Sequence, residues 1–105
     1  MTEAGEKTAK LLGELWLRTR PIVEERLAML DKAAAASAAG SLDEQLRTEA
    51  ASSAHKLAGS LGMYGYDEGT RVARELEVML SEAEPDAARL SPLILELRAA
   101  VFPTE

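Results

Sequence analysis

The chain has 105 residues, of which 47% are hydrophobic and only 4% aromatic, and it contains no cysteine. That length suits one domain with a modest core, and the missing cysteines exclude disulfides and thiol chemistry. A net charge of −6 argues against nucleic acid or an anionic membrane as partner, because phosphates call for a basic surface.

Ala and Leu supply most of the apolar content, which points to helices rather than to strands rich in Val, Ile, Thr and aromatics. Thr8, Leu11, Leu12, Leu15 and Trp16 recur at helical spacing and predict a first amphipathic helix from about Glu3 to Arg18. Thr19-Arg20-Pro21 reads as a boundary, with Thr19 or Arg20 at the cap and Pro21 in the first turn of a new helix. That second helix runs to about Ala39 on Val23, Leu27, Leu30 and Ala34, with Ile22 and Met29 alongside, and Gly40 ends it. Ser41 and Glu44 then have the spacing of a capping box for a third helix, Leu42 to about Gly62.

On the third helix Leu46, Ala50, Ser53, Leu57, Leu61 and Tyr64 share a face, and Gly62, Gly65 and Asp67 mark the turn that follows. A fourth helix from about Glu68 to Glu82 carries Gly69, Val72, Ala73, Leu76, Met79, Leu80 and Ala83. After a break at Pro85-Asp86, a fifth uses Leu90, Leu93, Ile94, Leu97, Ala100 and Val101 and stops near Pro103. Pro92 either kinks it or restarts it from Ser91.

Short loops force antiparallel neighbours. The expected architecture is therefore all-α: an antiparallel four-helix bundle with an additional N-terminal helix, and residues 1–105 as a single domain. With every stripe used internally, a monomer is expected. Trp16 is expected to pack the first helix on the bundle end, with Tyr64 and Tyr66 closing the turn. The start Met1-Thr2-Glu3-Ala4 is acidic, unlike a signal peptide, and suits a free protein or an N-terminal domain. No apolar run approaches the roughly 20 residues of a membrane span, so a cytoplasmic location is expected.

His55 is the one histidine. With Leu57 at the centre of the core face, a rotation of about 100° per residue turns His55 about 160° away, toward solvent. Thr48, Ala51, Ser52, Gly59 and Gly62 surround it, all small, and no Asp or Glu occurs between Glu49 and Asp67. Gly59 inside a helix costs about 1 kcal/mol against Ala, which close approach of another surface would explain. Neutral imidazole can attack an acyl phosphate and pass the group on as a phosphoramidate. One histidine without cysteine does not make a zinc set. Ser52 and Ser60 lie near His55 in sequence, but a hydrolase triad also wants a pocket that a slim bundle lacks.

The stretch Ala54-His55-Lys56-Leu57-Ala58-Gly59-Ser60-Leu61-Gly62 resembles the signature of histidine-containing phosphotransfer domains, the Hpt family, in which the phosphorylated histidine precedes x-Leu-Lys-Gly-Ser. His55, Leu57, Gly59 and Ser60 match position by position, and Leu76-Glu77 looks like the family's second shared element. The close resemblance covers about Ser41 to Leu80. It implies that His55 carries the phosphoryl group, with Lys56, Gly59, Ser60 and Gly62 in support. It also implies no cofactor, no metal and no kinase activity of the domain's own. The implied partner is the receiver domain of a response regulator or of a hybrid sensor kinase. One position departs from the pattern: the family's lysine three after the histidine is Ala58, and Lys56 sits on another flank. Arg71 or Arg74 on the following helix could replace it. The rival expectation is a docking or dimerisation bundle that is never phosphorylated.

Overall fold

A computed structural model describes residues 3–102. Met1 and Thr2, and the helix stop expected at Pro103, lie outside the described residues. Among these residues four helices follow one another: α1 (Glu3–Ala38), α2 (Glu44–Met63), α3 (Asp67–Leu80) and α4 (Ala87–Val101). α1 packs on α2 and α4, α3 packs on the same two, and the diagonal pairs do not meet. Contacts between chain ends give the directions. Thr19 on α1 reaches Tyr64 at the end of α2, and Arg47 near the start of α2 reaches the carbonyl of Leu80 at the end of α3. The bundle therefore runs up, down, up, down.

The interior is aliphatic. Val23, Leu27, Leu30, Ala50, Leu57, Leu61, Val72, Leu76, Leu90, Ile94, Leu97 and Val101 are all buried, and no polar or charged side chain is buried among the described residues. The expected stripes of the last three helices hold at nearly every position. Ala83 is the exception; it lies beyond the end of α3 and is exposed. Buried Ala33, Ala34, Ala54, Ala58 and Ala73 occupy positions where a larger side chain would hold the helices apart.

Two boundaries differ from the sequence reading. The first two expected helices are one: α1 spans 36 residues with Pro21 inside it, so the additional N-terminal helix is the first half of α1. Proline in a helix interior costs about 3 kcal/mol, partly because a carbonyl one turn earlier loses its donor. Here that carbonyl belongs to Leu17, which is 68% exposed, so water can satisfy it. Contacts on either side of Pro21 oppose a break. Trp16 packs against Tyr64, Tyr66 and Phe102 at ring separations of 5.2, 5.1 and 6.2 Å. Thr19 Oγ1 lies 3.0 Å from the Tyr64 hydroxyl, and the Arg20 guanidinium sits 4.6 Å over the Phe102 ring. The aromatic residues thus close one end of the bundle, as expected for Trp16.

The second difference is at the α1–α2 turn. Gly40 has φ 71°, and Ser41 N–H donates to the Ala36 carbonyl while Gly40 N–H donates to that of Ser37. This Schellman closure takes Ser41, whose hydroxyl also donates to Ala36. The cap of α2 falls to Asp43, whose carboxylate accepts from Leu46 N–H at 2.7 Å. α4 keeps the expected break: it begins at Ala87 behind an Asp86 cap, and Pro92 lies within it, so the helix does not restart at Ser91.

At about 1.5 Å per residue, α1 accounts for the 54 Å length of the molecule. The other helices are shorter, so the first turns of α1 overhang them. Leu11, Leu15 and Leu17 remain exposed there, and the expectation that every stripe is used internally fails for this segment.

A continuous α1 has a measurable consequence. Pro21→Ala should raise stability by about 1–3 kcal/mol in chemical denaturation followed by Trp16 fluorescence. A chain broken at Pro21, with proline in a first turn, would gain nothing from the change.

Candidate functional site

α2 presents Ala50, Ala54, Leu57, Ala58 and Leu61 to the core. The centre of this buried set lies between Ala54 and Leu61, not at Leu57. His55 consequently stands about 120° from it rather than about 160°, on the flank beside α3. The imidazole is 73% exposed.

A carboxylate meets it there. Glu77 Oε2 lies 2.8 Å from His55 Nδ1. The gap in acids between Glu49 and Asp67 therefore does not leave the ring clear of negative charge. α2 itself carries no acid near the ring, but α3 brings one across. An ionised carboxylate only accepts hydrogen bonds, so in the neutral ring Nδ1 holds the proton. The lone pair then resides on Nε2.

The ring borders a shallow depression of about 380 Å³ lined by His55, Ala58, Gly59, Arg74, Glu77 and Val78. Its residues come from α2 and α3. A depression of about 440 Å³ between α1 and α4, lined by Arg20, Glu24, Leu27, Arg98, Ala99 and Phe102, holds no nucleophile.

Of the four residues expected to support His55 (Lys56, Gly59, Ser60 and Gly62), only Gly59 lines its depression. A Cβ built on Gly59 would meet nothing within 4 Å, so packing within the chain does not demand glycine there. Lys56 lines another hollow, with Met29, Thr48, Glu49, Ser52 and Ser53. Ser60 turns toward α1, where Arg26 Nη1 donates to its hydroxyl at 3.4 Å. Gly62 faces Thr70, with Oγ1 3.7 Å from its would-be Cβ. On the sequence Glu77 is only a match to the family's second shared element, with no role of its own. A signal for it existed: folding the hairpin about Tyr66 places positions 55 and 77 opposite each other.

The two arginines offered as lysine replacements separate. Arg71 faces α4 and binds Glu68, Glu75 and Glu96. The hydrogen bond from Arg71 holds the Glu68 carboxyl below its ordinary range. Arg74 instead lines the His55 depression, and it makes no hydrogen bond or ion pair among the described residues.

An exposed imidazole with one nitrogen tethered and the other open can act as a nucleophile toward a visiting electrophile. The family model described as "Hpt domain" matches residues 17–101, and the chain belongs to that family: it is a histidine phosphotransfer domain of the two-component phosphorelay type. Among curated proteins it is similar to Protein RcaC of Microchaete diplosiphon, 30% identical over 100 residues, which cover 95% of this chain and 15% of RcaC. The chain thus spans a small part of that relative's length. No solved structure matches.

Two measurements check the geometry. Nitrogen-15 NMR of the imidazole should show Nδ1 protonated and Nε2 bare, and Glu77→Ala should shift the ring toward the other tautomer. Gly59→Ala should stabilise the fold by about 0.5–1 kcal/mol; a loss of stability would mean that the fold itself requires the glycine.

Proposed function

We propose that His55 is the phosphorylated residue and that Nε2 is the atom that takes the group. The observation that carries this reading is the tether from Nδ1 to Glu77 at 2.8 Å on a ring otherwise open to solvent. The Nε2 lone pair attacks the phosphorus of an aspartyl phosphate. The P–N bond forms as the P–O bond to the aspartate breaks, and that electron pair returns to the carboxylate. The ring becomes positive while Nδ1 keeps its proton, and Glu77 stabilises that charge through the hydrogen bond. Reversal delivers the group to another aspartate.

The proposed partner is the receiver domain of a response regulator or hybrid sensor kinase, and the whole chain 1–105 is proposed to act as one carrier domain. It needs no nucleotide site or kinase activity of its own, because the donor arrives already phosphorylated. A cytoplasmic setting is part of this proposal. Among the described residues no helix is long and apolar enough to cross a membrane. Gly59 would let the receiver approach the ring closely, which gives its helix cost a purpose. Lys56, Ser60 and Gly62 would support the site indirectly, through the shape and charge of the α2 surface.

Receiver domains charged with radiolabelled acetyl phosphate should label the wild type and leave His55→Gln blank, with a label that acid removes and base does not. Phosphoramidate, a small donor that needs no docking, should also label the wild type. Gly59→Trp should block labelling by receivers and preserve labelling by phosphoramidate. Label retained in His55→Gln would reject the assignment, and receiver binding without any label would favour the docking-module alternative.

A further inference from the structure

The Glu77 tether creates an electrostatic problem for a loaded carrier. A phosphoryl group brings roughly two negative charges near neutral pH, and it would sit beside a ring whose other nitrogen already faces a carboxylate. In a protein with a net charge of −6, a local cation is needed to offset this. At the position where the family carries lysine, this chain has Ala58, which is buried and uncharged.

The neighbouring cations can be sorted by what already holds them. Arg71 is bound by Glu68, Glu75 and Glu96 on the α4 side. Arg47 donates to the Leu80 carbonyl at 2.9 Å and lies 3.5 Å from Glu44. Arg26 points to Ser60. Lys56 lines the hollow shared with Glu49 and Met29, away from the ring. Arg74 remains. It lines the same depression as His55 and Glu77, is exposed, and has no carboxylate partner among the described residues. It stands one turn before Glu77 on α3, so one helix supplies both groups.

We propose that Arg74 binds the phosphoryl oxygens of phosphorylated His55, replacing from α3 the charge that Ala58 removes from α2. This rests on the assignment of His55 as carrier. A guanidinium suits the task because its fork of N–H donors matches two phosphoryl oxygens at once. With the ring anchored by Glu77 and the phosphoryl group met by Arg74, opposite charges alternate along the site: carboxylate, imidazolium, phosphoryl, guanidinium. The empty carrier leaves the arginine free in solvent, so its contribution arises when the group arrives.

The test uses the full chain and phosphoramidate as donor, so that receiver docking plays no part. Arg74→Gln should load about two- to fivefold more slowly or lose the group that much faster, the range expected of an exposed ion pair. Arg74→Lys should recover part of the loss, and Arg89→Gln, which removes an equal charge from α4, should behave as wild type. Phosphorus-31 NMR supplies a readout that a merely structural role would not move. In Arg74→Gln the second ionisation of the phosphoryl group should rise by a few tenths of a pH unit, because the dianion loses its partner, and high salt should shrink that difference. Circular dichroism confirms that each variant folds. An Arg74→Gln protein with wild-type kinetics and an unmoved phosphorus titration overturns the proposal and leaves His55 as carrier. A folded wild type that takes no label, with His55→Gln alike, overturns both.

Discussion

The bond between His55 and Glu77 is the constraint on which the site depends. An imidazole on a helix surface has two equivalent-looking nitrogens and rotates freely. A carboxylate 2.8 Å from Nδ1 removes both freedoms: it chooses the nitrogen that keeps the proton and sets the direction of the other. That contact requires α2 and α3 to pack at fixed height and rotation. The requirement is met by Gly65, whose φ of 80° lets Tyr66 N–H close on the Leu61 carbonyl, and by Gly69. A Cβ on Gly69 would come within 3.2 Å of Leu61 and 3.3 Å of Val101. The turn and the close approach together place the two side chains opposite each other.

The fold was legible where periodicity and turn chemistry agree. The stripes of α2, α3 and α4 repeat at helical spacing, and Gly40 and the Asp86 break mark ends that the structure keeps. Failures came where a local rule met a tertiary contact. Pro21 reads as a start in isolation, but Trp16, Thr19 and Arg20 grip the bundle end across it, and the helix continues. Ser41 reads as a cap, but the preceding turn uses it first. Neither outcome follows from a window of sequence, because the deciding partners (Tyr64, Tyr66, Phe102 and Ala36) are outside it or compete within it.

The site shows the same division. The exposure of His55 follows from the pattern of its own helix. The carboxylate beside it does not, since a helical wheel contains only one helix. The arginines were indistinguishable on the sequence, both on the outer side of α3. Packing separates them: Arg71 is drawn to Glu96 of α4, while Arg74, nearly one turn on, looks across to α2. Lys56 adjoins His55 and Ser60 follows five residues on, yet both leave it in space, because positions on a helix turn by about 100° per residue.

The core holds only apolar side chains among the described residues. Nothing inside it titrates, and nothing inside it exchanges a proton with the outer wall. An anion gained or lost at the surface therefore finds an inert chassis: it alters the outward face that a visitor would meet while the interior registers no difference. A scaffold of this kind offers a loaded group no buried partner, so any message it bears is written only on its skin.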